Sequence, residues 1–251
     1  MGASFVPMSQ VNDNQPLGTP TWLDLGVSDV DAAKDYYATL FGWDFEDGPL
    51  GTTCLLRGLP VAGLRAGDST AGTAWRVHLA TDDCDATAKA VEAAGGTVVE
   101  EPHEVGDLGR AALVVDTVGV ALGLWQGRAF PGCRLVNEPD TLVRNDLVTA
   151  NPRPARDFYT AVFDFTLDGN PDLPDFDFTF LRRPDGYEIG GILGLPGAKS
   201  AWATTFEVAD TDATVARAGA AVTPEDTPYG RSATFTDPFG VELSVIARPA
   251  E

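Results

Sequence analysis

The sequence predicts an α+β fold: four β-α-β-β-β modules in two tandem domains, each a curved half-barrel sheet with its helices outside. Three observations carry this. Residues 22–43 (WLDLGVSDVDAAKDYYATLFGW) return at residues 144–165 (RNDLVTANPRPARDFYTAVFDF) with a constant offset of 122, and a long internal repeat sets architecture before any single residue does. Trp75, Asp85-Ala86-Thr87, Gly109-Arg110 and Asp116 likewise return as Trp202, Asp212-Ala213-Thr214, Gly230-Arg231 and Asp237. Within these repeats, apolar residues alternate along strand segments and then switch to helical spacing.

Residues 1–19 are polar and broken by Pro and Gly, without the basic start and apolar middle of a signal peptide, so a flexible tail is expected. The first domain is expected over residues 20–126, as modules 20–70 and 71–126. Leu23, Leu25 and Val27 share one face of its opening strand. Asp29 caps the helix that follows. Ala32, Ala33, Tyr36, Tyr37 and Leu40 form its apolar stripe, and Gly42 stops it. Short strands are expected at 43–45, 52–57 and 61–65. The second module opens on WRVHLA, turns into a helix at 86–94 that Gly95-Gly96 ends, and closes with strands at 97–100, 109–116 and 118–126. Residues 127–139 read as a linker. The second domain is expected over 140–248, as modules 140–198 and 199–248. The repeat offset rises to 127 at Trp75/Trp202 and falls to 121 at Arg110/Arg231. Extra residues are therefore expected around 170–175 and missing ones around 103–108, in loops.

The formal charge of −20 argues against nucleic acid or an anionic membrane as a partner, since both need basic surface. No apolar run approaches the ~18 residues of a membrane helix, so a cytoplasmic protein is expected. The 3 cysteines are scattered without a CxxC, which supports neither a disulfide framework nor a zinc ribbon. No P-loop, no GxGxxG after a strand and no GxSxG elbow is present.

The helix pattern around Asp35-Tyr36-Tyr37 and Asp157-Phe158-Tyr159, the Asp-Ala-Thr helix starts and the closing Asp237-Pro238-Phe239-Gly240 resemble the vicinal oxygen chelate superfamily of glyoxalases, bleomycin-resistance proteins and extradiol dioxygenases. The nearest resemblance is to tandem actinobacterial glyoxalase-like proteins, some called "hydroxylase", and it extends over residues 20–248. It implies metal ligands on the first and closing strands. Those positions fall here on Trp22, Arg144, Arg76, Ala203, Gly123 and Ser244, which are poor ligands for Zn²⁺, Ni²⁺ or Fe²⁺. No metal and no other cofactor is therefore expected. A shifted site using His78 and Asp24 is the one escape; the other histidine, His103, is expected in an exposed loop.

Alternation places Trp22, Asp24, Arg76, His78, Ala121, Gly123 and Trp125 on the open face of the first sheet, and Arg144, Asp146, Thr205, Glu207, Glu242 and Ser244 on that of the second. Glu188 is an acid that only the second half carries. Clustered carboxylates in a partly dry cleft raise one another's proton affinity and suit acid/base chemistry. The catalytic candidates are thus Glu242, Asp146, Glu207 and Glu188. Arg144 is expected to grip a substrate anion or to bridge Asp146 or Glu242. Thr205, Ser244, Trp22, Asp24, Arg76, His78 and Trp125 are the substrate-binding candidates. Trp75, Trp202 and the helix-stripe aromatics read as core, and Arg110 and Arg231, present in both copies, as structural.

The expected function is metal-independent acid/base catalysis of lyase, isomerase, cyclase or condensation type on an aromatic or carbonyl-bearing metabolite; the resemblance adds secondary metabolism. The alternatives are sequestration of a planar drug-like ligand between Trp22 and Trp125, and a metal-dependent glyoxalase or dioxygenase. The expected partner is a small molecule, with the chain a monomer or homodimer.

Overall fold

A computed structural model describes residues 10–67, 74–169 and 176–249. The first domain contains β1 (Pro20–Val27), α1 (Val30–Phe41), β2 (Asp44–Gly48), β3 (Gly51–Leu56), β4 (Leu59–Ala66), β5 (Arg76–Ala80), α2 (Cys84–Ala93), β6 (Thr97–Val105), β7 (Gly109–Val115) and β8 (Ala121–Gly127). The second repeats it: β9 (Leu142–Thr149), α3 (Pro152–Phe163), β10 (Thr166–Gly169), β11 (Phe178–Arg182), β12 (Glu188–Gly194), β13 (Ala201–Glu207), α4 (Thr211–Ala218), β14 (Glu225–Thr227), β15 (Gly230–Thr236) and β16 (Glu242–Ala247).

Each domain is one eight-stranded sheet, in the order β2-β3-β4-β1-β5-β8-β7-β6 and β10-β11-β12-β9-β13-β16-β15-β14. Neighbouring modules therefore pair within a domain, through antiparallel β1–β5 and β9–β13. The helix starts are local chemistry: Asp29, Asp83 and Asp210 each accept the backbone N–H three residues on, at 2.9 Å. Asn151 makes no such bond and relies on Pro152 at the first helical position. Gly42 ends α1 with φ 70°, whereas its twin Asp164 adopts φ 55° after α3.

Several boundaries differ from the sequence reading. β6 runs on to Val105 and takes in His103, which is exposed on a strand rather than in a loop. β6 has 9 residues and β14 only 3, which is where the repeat offset falls. The strand expected at 118 starts at Ala121, because the Asp116 carboxylate holds the N–H groups of Val118 and Val120 in a turn. The extra residues expected at 170–175, the 71–73 lead-in and residues 1–9 of the tail lie outside the described residues. Residues 10–18 of that tail are tied down. Gln10 bridges to Leu135, Val11 N–H donates to the Arg134 carbonyl, and Asn14 bonds to Thr81 and Gly127.

The domains pack through their helices, α1 against α4 and α2 against α3. Phe41, Trp43 and Trp75 of the first domain surround Phe206 of the second. Two buried hydrogen bonds cross between domains in a reciprocal pattern: Tyr37 Oη donates to Asp237 at 2.7 Å, and Tyr159 Oη to Asp116 at 2.8 Å. Both aspartates also organise the turn before their closing strand. Trp75 and Trp202 are core, as read. Arg110 and Arg231 pair with Asp85 and Asp212 at the starts of α2 and α4, the same structural task twice.

Candidate active site

On the open face of the second sheet, β9 presents Arg144 and Asp146 two residues apart. Arg144 Nε donates to Asp146 Oδ2 at 2.7 Å, and an Nη donates to Glu188 Oε1 at 2.8 Å. Glu188 opens β12 and also meets Arg182 at 3.2 Å, which in turn reaches Asp168. The guanidinium of Arg144 lies 5.6 and 5.8 Å from the rings of Phe178 and Phe180. Gly191 makes this possible, because a Cβ there would lie 2.1 Å from the Phe178 ring. Phe178, Phe180 and Arg182 were missed from the sequence. Their signal was the alternation Phe-Thr-Phe-Leu-Arg, which puts all three on one strand face.

Asp146 is the unusual group. Its Oδ1 is buried and makes no well-formed hydrogen bond; the Gly191 backbone N–H is the one donor near the carboxylate besides Arg144. Burial raises its carboxyl above the usual carboxylate range, and the Arg144 guanidinium, shared with Glu188, does not offset this. Arg144 is pushed up as well: burial opposes its charge, but Asp146 and Glu188 outweigh that and keep it protonated. A cavity of about 630 Å³ reaches this cluster at Arg144 and Glu188 and is also lined by Arg183, Tyr187, Asn12 and Asn14; Asp146 lies behind Arg144 and does not line it.

The remaining candidates are dispersed. Glu207 pairs with Arg248. Ser244 Oγ bonds Thr234 Oγ1 at 2.7 Å, and Thr205 sits opposite Arg144 on β13. Glu242 is exposed at the rim of the open face, with no ion pair among the described residues. Arg144 thus bridges Asp146 and Glu188, not Glu242.

The first sheet's open face is filled by the protein itself. Trp22 and Trp125 are buried, and Phe130 from the linker stands edge-on to both, at 5.0 and 6.0 Å. Cys133 follows it and anchors to Val61 O at 3.0 Å. His78 Nε2 meets Asp24, while its Nδ1 is buried without a partner over Gly123, where a Cβ would lie 1.9 Å away. Arg65 Nε donates to the other Asp24 oxygen at 2.6 Å. Burial would raise the Asp24 pKa, but His78, Arg76 and Arg65 together hold it far below the usual range.

The six positions where the resemblance implies metal ligands offer an indole, two guanidiniums, a methyl, a bare glycine and one hydroxyl. Among the described residues no three His, Cys, Asp or Glu side chains are placed to share an ion. His78 has one ring nitrogen on Asp24 and the other packed against Gly123. This donor set does not fit a divalent ion.

A glyoxalase-like domain model matches residues 21–120, and the glyoxalase/bleomycin resistance protein/dioxygenase superfamily model matches residues 141–245. The chain is 36% identical over 251 residues to the putative glyoxylase CFP32 of Mycobacterium tuberculosis, covering 93% of this chain and 95% of that one. The chain belongs to the glyoxalase/bleomycin resistance/dioxygenase superfamily. It is also 37% identical over 262 residues to the anthracycline biosynthesis protein DnrV of Streptomyces peucetius, covering 91% of this chain and 93% of that one. Among solved structures, the Mn(II)-bound glyoxalase from Novosphingobium aromaticivorans shares the fold, with a TM-score of 0.65 at 21% identity over 92% of this chain and 82% of that one.

Proposed function

We propose that this chain is a small-molecule enzyme whose chemistry lies on the open face of the second domain and runs on a carboxylate rather than a metal ion. The observation that carries the reading is Asp146: a buried carboxyl of raised proton affinity, fixed through Oδ2 by Arg144, with the backbone N–H of Gly191 its one other nearby donor and no well-formed hydrogen bond on Oδ1. A carboxyl of raised proton affinity is a stronger base than an ordinary aspartate and suits proton transfer with a substrate. Oδ1 is the proton-transfer atom. Arg144 fixes the orientation of the carboxylate and supplies positive charge where an enolate or carboxylate of the substrate would sit. Glu188 and Arg182 hold Arg144 in place, and Phe178 and Phe180 give an aromatic substrate an apolar floor. The reading rests on Asp146 rather than Glu242, because Glu242 is exposed and no ion pair among the described residues fixes its position.

The reaction class is lyase, isomerase, cyclase or condensation on an aromatic or carbonyl-bearing metabolite, in the cytoplasm. Two relatives named for anthracycline biosynthesis support a place in secondary metabolism. Purified protein, treated with a chelator, would be incubated with a panel of aromatic polyketide ketones and the products followed by mass spectrometry. Turnover that survives chelation and is lost in Asp146→Asn is expected. Activity that needs near-stoichiometric Mn, Fe, Ni or Zn, or that is unchanged in Asp146→Asn, would overturn the reading.

A further inference from the structure

A second cleft, of about 270 Å³, lies at the other end of the first sheet from the Phe130 plug. Asp24, Arg65 and Arg76 line it from the first domain, and Lys199 and Ser200 from the approach to β13 in the second. Its volume equals that of about nine water molecules at liquid density, room for a ligand of a few heavy atoms. The charges around it run against the rest of the protein. The chain carries 37 acidic and 17 basic residues, yet three cations and one carboxylate meet here. The carboxylate is already engaged, because Asp24 spends one oxygen on Arg65 and the other on His78. Arg76 and Lys199 make no ion pair or side-chain hydrogen bond among the described residues.

The internal repeat tests whether the fold needs these cations. Arg76 sits opposite Asp24 on β5, and Ala203 sits opposite Asp146 at the same address on β13. Arg65 lies two residues beyond the partner of Asp24 on β4, where β12 carries Leu193. The second sheet therefore forms without either arginine. Arg76 acts on Asp24 only through its field and bonds no carboxylate; an arginine and a lysine without bonded carboxylates at a concave site, in a protein rich in acids, select an anion.

We propose that this cleft binds a small dianion, a phosphate or a dicarboxylate, between Arg76 and Lys199, with Arg65 holding Asp24 out of its way. The site is separate from the Arg144–Asp146 cluster, so its test needs no substrate. Titration calorimetry with inorganic phosphate and, in a parallel arm, with succinate is expected to show one saturable site per chain. The tighter of the two identifies the chemical source. Arg76→Ala, which copies the residue the twin module already tolerates, and Lys199→Gln should each weaken binding by about tenfold or more. Arg128→Gln, which removes an exposed cation paired to Glu104, should leave it unchanged. Absence of saturable binding by both anions overturns the proposal, and so does binding that survives both Arg76→Ala and Lys199→Gln or falls equally in Arg128→Gln.

Discussion

Asp24 and Asp146 occupy one address in two copies of the same sheet. Each faces the open side of its domain's first strand, opposite a glycine of the parallel neighbour, Gly63 or Gly191. Their proton affinities move in opposite directions. Asp24 has both oxygens taken by cationic partners. Asp146 has one oxygen on a guanidinium that it shares and the other with no cationic partner, only the Gly191 backbone N–H nearby. Duplication supplied the position, and the neighbours decided the chemistry: in one copy a saturated structural ion cluster beneath a plug, in the other an under-satisfied carboxyl behind an arginine that lines a cavity.

The most severe test of that contrast is turnover. Asp146→Asn should cost about 10²–10⁴-fold in kcat, whereas Asp24→Asn should leave kcat within a few-fold; the reverse ranking would move the chemistry to the first domain. Stability should rank the other way. Asp24→Asn strands the mostly buried His78 and frees the partly exposed Arg65, and should cost about 3 kcal/mol in denaturant melts at neutral pH. Asp146→Asn should be neutral or stabilising there. The pH dependence follows from the signs. The depressed folded pKa of Asp24 contributes stability that is present above the ordinary carboxylate value and is lost as pH falls through the folded one. The raised pKa of Asp146 contributes stability that is present below the ordinary value and is lost as pH rises through the folded one. Asp24→Asn should thus flatten the acid limb of the stability profile, and Asp146→Asn the limb just above it.

Phe130→Ala should come next. Removing the ring that covers Trp22 and Trp125 should cost about 2–3 kcal/mol and make indole fluorescence sensitive to added quencher, turning the first face into something closer to the second. Tyr159→Phe and Tyr37→Phe should each cost about 1–3 kcal/mol by leaving a buried carboxylate oxygen unpaired. The former should cost more, because Tyr159 Oη also accepts from Trp202 Nε1 at 3.0 Å while Trp75 Nε1 has no partner. The smallest effect is a gain. Asp164→Gly, matching its twin Gly42, should relieve left-handed backbone strain and add about 0.5–1 kcal/mol.

Much of the fold was legible because its signals are local and are stated twice. Asp29, Asp83 and Asp210 cap helices by their own geometry, and alternation alone put Arg144 and Asp146 on the open face. What decided the site was less legible. Which carboxylate Arg144 bridges depends on the register of β12 against β9 and β11, and that register is disturbed where Arg182 pairs with Glu188 but Leu181 with Gly190. No pattern within either strand shows such an irregularity. The filling of the first face by Phe130 was hidden for a related reason: the ring comes from a segment whose composition reads only as linker. The Tyr–Asp bonds were invisible because each joins a helix of one domain to a turn of the other, and the tyrosines scan as ordinary stripe residues.

Those crossed phenol–carboxylate bonds bear on how the chain is made. When the first domain has left the ribosome, Tyr37 is in place on α1, but its acceptor, Asp237, lies 200 residues further along the chain, in the second domain. Until then α1 keeps its contact face for α4 uncovered. The first domain therefore matures only once the module that holds α4 and Asp237 has emerged, and truncation anywhere within that module should yield a sticky, protease-sensitive product rather than a shorter working one.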